Sequence, residues 1–157
     1  MEEQNLASRS IQTLVYPSIG HAELGRLLQK YGYDAQAIEE DGRSGYRTLS
    51  QPSFTAWLQT PFPRRPGEFA AAFLWAALNL PAYVSAEVIR AMRWKTMYAH
   101  LDMNGHGRLL ATHTLVVLGG ITEYYLRDQL WHWTRDLERI RNEVRRQLRL
   151  VLGQTAH

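Results

Sequence analysis

The sequence predicts an all-α domain whose core is a helical bundle, with a short strand or hairpin flap at its N-terminal end. Three observations predict it. Beyond Gly67 the residues fall into helical stretches at Glu68 to Leu80, Val84 to about His100, Gly107 to Leu118 and Ile121 to about Leu152. Helix-breaking residues lie between those stretches: Pro81, the segment Asp102 to Gly107, and the pair Gly119-Gly120. After Trp133 the last stretch settles into apolar positions at helical spacing, through Leu137, Ile140, Val144, Leu148 and Val151, so it packs by one face. A single domain over residues 1–157 is expected, with 1–45 forming an arm and short helices and 46–152 the helical core.

Taken in order, Thr13 to Tyr16 reads as a short strand ended by Pro17. Ser18 can cap a helix running to Tyr31, in which Leu24, Leu27, Leu28 and Tyr31 make one apolar stripe and Gly32 supplies the stop. Asp34 caps a short helix to Asp41. Asp41 to Gly45 is a turn cluster, and Tyr46-Arg47 belongs to a loop or hairpin. Ser50 or Pro52 opens a short helix through Leu58, after which Pro61, Pro63 and Pro66 force an extended linker. The tryptophans, Trp57, Trp75, Trp94, Trp131 and Trp133, read as core residues with satisfied indole N–H groups, and His132 between the last two as structural. No repeat of solenoid length is visible.

Composition narrows the class. With 45% apolar and 21% charged residues over 157 positions, the chain has globular rather than disordered character. The absence of cysteine excludes a disulfide framework, a thiolate metal site and a cysteine nucleophile. The opening residues lack the basic and apolar regions of a signal peptide, so a cytoplasmic location is expected. The longest apolar runs, Phe69 to Leu80 and Leu109 to Ile121, fall short of the ~20 residues of a membrane span. The net charge of +3 is concentrated between residues 135 and 149, where arginines 135, 139, 141, 145, 146 and 149 face only Asp136, Glu138 and Glu143. This reads as a solvated helix face with ion pairs such as Glu138 with Arg141. No aromatic residue interleaves these arginines as a single-strand nucleic-acid platform requires, and a helix-turn-helix around Pro81 is spoiled by Trp75. Nucleic acid is therefore not the expected partner, whereas a homo-oligomer is compatible with the composition.

Chemistry concentrates in Ala99-His100-Leu101-Asp102-Met103-Asn104-Gly105-His106-Gly107-Arg108. A helix ending at His100, a glycine-rich turn and a new helix from Gly107 would point backbone N–H groups and a helix dipole at an anion. Arg108 would reach over the turn to a phosphate, and His100 would stand as a base above it. Three other readings use the same residues. Asp102, Asn104, Gly107 and Leu109 partly follow the EF-hand calcium template; His100, His106 and His113 could be transition-metal ligands; or the segment is a plain turn with surface histidines.

The order His100, Gly105, Gly107, Arg108 resembles the Fic/Doc family signature H-P-F-x-[D/E]-G-N-G-R-x-x-R in type and spacing. Gly45-Tyr46-Arg47, the proline-rich run Pro61 to Phe69, Gly119-Gly120 and Tyr124-Tyr125 are similar to pieces that flank that core. The resemblance implies a Fic-like helical bundle with His100 as general base and Gly105, His106, Gly107 and Arg108 as phosphate cradle. The activity it implies is transfer of AMP, or another phosphate-containing group, from a phosphate-bearing small molecule to a hydroxyl on a protein or small-molecule acceptor. It also implies Mg²⁺ held at Asn104, with Asp102 as a second candidate, and no haem, flavin or iron–sulfur cluster. The sequence departs from the signature at Leu101, Asp102, Asn104, His106 and Ala111. Loss of the second arginine at Ala111 removes a phosphate clamp, and Glu138 lacks the partner of the family's inhibitory helix. The alternative is accordingly a catalytically silent protein-binding module or subunit.

Overall fold

Extended backbone, not helix, occupies most of the middle of the chain. The computed structural model describes residues 15–80 and 84–154. Its elements run β1 (Val15–Tyr16), β2 (Ile19–Gly20), α1 (His21–Lys30), β3 (Ala35–Glu40), β4 (Arg43–Thr48), β5 (Thr55–Pro61) and β6 (Glu68–Asn79). They continue through α2 (Ala86–Arg93), β7 (His100–Met103), β8 (Arg108–Val116), β9 (Ile121–Thr122) and α3 (Glu123–Gln154). A seven-stranded sheet is ordered β3-β4-β5-β6-β8-β7, with β2 also pairing to β6, and every pairing is antiparallel. β1 and β9 form a separate two-stranded ribbon.

This α+β architecture overturns the all-α, Fic-like bundle. β6 and β8 stand where helices were expected at 68–80 and 107–118, and the physical reason is plainest in β6. On β6, Ala72, Leu74 and Ala76 join the core beneath the helices, while Phe73 and Trp75 occupy the opposite sheet face. A strand apolar on both faces shows no two-residue alternation, so its run of apolar residues cannot be told from a buried helix by period. The short helices expected at Asp34–Asp41 and Ser50–Leu58 are instead β3 and a loop that enters β5 at Thr55. The 84–100 helix shortens to α2, which Ser85 caps by accepting the Val88 N–H at 3.4 Å.

Turn chemistry sets the hairpins. Asp41 and Gly42 both take left-handed conformations, φ +52° and +72°, between the paired residues Glu40 and Arg43. That is the twist-matching two-residue connection that Asp-Gly favours. Gly45 on β4 lies so close to the Ala56 carbonyl of β5 that any Cβ would collide with backbone.

The helices that survive are those with one clear apolar stripe. α1 buries Leu24, Leu27 and Leu28, and Gly32 (φ +86°) ends it in a Schellman motif: the Tyr33 N–H donates to the Leu28 carbonyl and the Gly32 N–H to that of Gln29. α3 starts where Gly119 and Gly120 break the chain, and Thr122 accepts the Tyr125 N–H at 3.2 Å. Its residues Leu126, Leu130, Trp133, Leu137, Ile140 and Val144 lie over the sheet with α1. Each such side chain removed from water contributes about 1.5–3 kcal/mol. The strand expected at Thr13–Tyr16 is β1 in its described part; Thr13, Leu14 and Pro81 lie outside the described residues. Among the described residues no helix is long and apolar enough to cross a membrane.

Candidate functional site

The stretch expected to cradle phosphate is the β7–β8 hairpin. The Gly107 N–H donates to the Asn104 carbonyl at 3.1 Å, the Asn104 N–H donates to the Arg108 carbonyl at 3.0 Å, and Gly107 is left-handed at φ +72°. This is a type I turn followed by a glycine bulge. The Asn104 Oδ1 accepts the N–H groups of His106 at 3.0 Å and Arg108 at 2.9 Å. Those inward bonds use the amides that were expected to face a phosphate. No helix begins at Gly107, so no helix dipole stands behind the loop.

The remaining residues of the expected site are spread along the ladder. His100 pairs with Thr112 at the far end of β7 and is exposed, whereas Arg108 adjoins the turn opposite Asn79. Four strand positions, roughly 13 Å, therefore separate the levels of His100 and Arg108. Gly105, His106 and Gly107 are exposed at the tip. Of the expected Mg²⁺ donors, the Asn104 Oδ1 already accepts two backbone N–H groups, and the Asp102 Oδ1 accepts the Met103 N–H at 2.8 Å beside the Arg93 guanidinium at 3.7 Å. His113 lies on the other sheet face, with Nε2 2.9 Å from the Gln129 Oε1 and its ring stacked on Trp133. The three histidines do not converge, and among the described residues no His, Cys, Asp or Glu cluster could hold a metal ion. The transferase expectation is thus left without the geometry on which it was built.

The feature that sequence reasoning missed is on α3. Tyr124, Arg127, Trp131 and Arg135 recur at helical spacing on its outward side, away from the buried stripe of Leu126, Leu130, Trp133 and Leu137. Tyr124 is 69% and Trp131 51% exposed. The Arg127 guanidinium lies over the Tyr124 ring at 5.4 Å and that of Arg135 over Trp131 at 5.1 Å. Trp131, expected in the core, is at the surface, as is Trp94 at 87% exposure, and the buried Trp133 Nε1 has no hydrogen-bond partner among the described residues. A signal was present: two tryptophans two residues apart on a helix point about 200° apart, so Trp131 and Trp133 cannot both face one core.

A cleft of about 670 Å³ opens beside this stripe, walled by Tyr31, Tyr33, Tyr124, Arg127 and Trp131. Its floor is braced. The Tyr33 hydroxyl donates to the Leu130 carbonyl at 3.3 Å, and that of Tyr31 to the Glu123 carbonyl at 3.2 Å. Burial pushes the Tyr31 hydroxyl well above its ordinary range. Glu123 accepts from Lys30 and from the Tyr16 hydroxyl, the latter at 2.9 Å; the Lys30 bond first, then Tyr16, holds its carboxyl below the usual carboxylate range. The one acid lining the cleft is therefore already neutralised, while Arg127 has no carboxylate within 4 Å among the described residues.

No family model and no curated protein matches the sequence. Among solved structures the chain is similar to the crystal structure of "YbjN, a putative transcription regulator from E. coli", with a TM-score of 0.52 and 15% identity over 76% of this chain and 89% of that one. That likeness concerns the fold, and it agrees with an α+β sheet-and-helix arrangement in place of a helical bundle.

Proposed function

We propose that the chain is a protein-binding module that docks a partner segment on the outward side of α3, beside the turn between α1 and β3. The observation that carries this reading is the pair of exposed aromatic rings, Tyr124 and Trp131, each stacked by an arginine along one cleft. Isolated exposed apolar residues are ordinary, but tyrosine, tryptophan and arginine gathered over a concave floor have the composition of interface hot spots. The stacked guanidinium groups hold both rings in place before a partner arrives, which lowers the ordering cost of association. With Glu123 neutralised and Arg127 free of carboxylates, the partner chemistry that fits is an apolar or aromatic anchor flanked by acidic residues. A role in binding is compatible with the regulatory description that YbjN carries.

The test is selection of peptides from a random displayed library on the whole chain, repeated on a Tyr124→Ser/Trp131→Ser variant. Peptides with an acid beside an apolar anchor are expected on the wild type. Their affinity should fall roughly tenfold or more on the variant, about 1.4 kcal/mol. The melting temperature should hold, because both side chains lie outside the core. A library that yields no such peptide, or peptides that bind the variant equally, overturns the proposal.

A further inference from the structure

We infer that a second site, between the end of β6, the 49–54 loop and α3, takes a small organic anion: a carboxylate or phosphate ester carried on a flat apolar body. The notch follows from strand register. β5 begins at Thr55, opposite Trp75, so Ala76, Ala77 and Leu78 run on beside β8 with no β5 neighbour. Gln51 to Phe54 and the α3 residues Leu137 and Arg141 close the gap around a cavity of about 300 Å³. That is the small end of the range for small-molecule sites, and Trp75, Phe54 and Leu137 give it apolar walls.

Its charge is one-sided. Arg47 and Arg141 both line the cavity, and no carboxylate does. The pairing expected between Glu138 and Arg141 does not form, because Glu138 binds Arg135 at 3.3 Å instead. Among the described residues neither Arg47 nor Arg141 has an acid within 4 Å, and the buried Arg141 Nε has no hydrogen-bond partner. A guanidinium keeps its charge at any working pH, and a buried N–H without an acceptor is costly, so an oxyanion entering here gives the Arg141 Nε an acceptor and brings a counter-charge to a cavity lined by two arginines. The apolar wall then selects an anion with an aromatic body over a bare ion.

Calorimetric titration of the whole chain with benzoate, phenyl phosphate, inorganic phosphate and neutral benzyl alcohol tests this. One or both aryl anions should bind, the tighter one identifying carboxylate or phosphate as the preferred group, with inorganic phosphate weaker and benzyl alcohol silent. Arg47→Gln, on an exposed side chain, and Arg141→Lys, which keeps the charge but removes Nε, should each weaken the aryl anion by roughly tenfold or more. If Arg141→Lys fails to fold, Arg47→Gln carries the test alone. Failure of both aryl anions to bind, equal binding of benzyl alcohol, or undiminished binding by the folded variants overturns the inference. The Tyr124→Ser/Trp131→Ser variant should bind the anion normally, which keeps this site separate from the peptide cleft.

Discussion

Asp136 is fully buried on α3, and its Oδ2 accepts three consecutive backbone N–H groups, from Met97 at 2.8 Å, Tyr98 at 2.6 Å and Ala99 at 2.9 Å. Arg139 closes the other oxygen at 3.1 Å. One carboxylate thereby fixes the segment between α2 and β7 to the helix layer and sets where β7 joins the sheet. Removing it leaves three donors and a guanidinium without their acceptor. Asp136→Ala should therefore destabilise the chain by about 3 kcal/mol or more, and Asp136→Asn by less, since the amide oxygen can still accept. Urea unfolding of the two variants measures this. Equal stability of wild type and Asp136→Ala would show that the 97–99 segment is held by other means. In the sequence this residue is one acid among six nearby arginines, and nothing in that pattern marks it as buried: its three backbone donors lie 37 to 39 residues away.

At the scale of elements, legibility followed whether a segment carries its own period. α1, with its leucine stripe and Gly32 stop, and α3 were readable because each presents one apolar face and a glycine boundary. β6 was not, because a central strand apolar on both faces hides its alternation. β8 does alternate, with buried Leu109, Ala111 and Leu115 against Arg108, Thr112 and Thr114, but its segment also fits a helix between glycines, and the Asp-Gly hairpin signal at 41–42 was not extended to its flanking strands. The loop 104–107 shows how the site was misplaced. Asn-Gly-His-Gly between two strands makes a hairpin, and the same letters between two helices would make an anion cradle, so the error in the elements became an error in chemistry. The two glycines separate these roles. Gly107 is left-handed at φ +72°, whereas a Cβ at Gly105 meets nothing within 4 Å and needs no positive φ. Gly107→Ala should cost about 1 kcal/mol of stability and Gly105→Ala less than about 0.5 kcal/mol. Thermal denaturation distinguishes them, and equal losses would contradict this turn type.

Across the whole molecule, positive charge is gathered on the C-terminal half of α3, and the acids there act as tethers. Glu143 is the main one: Arg146 donates to it at 2.5 and 3.1 Å, Gln147 at 3.0 Å, and Lys95, just beyond α2, lies 3.6 Å away. These contacts, led by Arg146 and Gln147, hold its carboxyl at about 2 against an ordinary 4.5. A carboxyl whose folded pKa is depressed adds stability that is fully present above 4.5 and is lost as the pH falls toward 2. Arg146 is 58% exposed, so solvent screens the pair and the gain is only part of what the shift alone implies. The tether joins the stretch after α2 to the C-terminal half of α3, so its loss loosens the helix layer. Wild type should exceed Glu143→Gln in melting temperature by a few degrees at pH 7, with the difference closing between pH 4.5 and 2. A difference that stays constant over that window would mean that Glu143 stabilises the fold by packing and not by its charge.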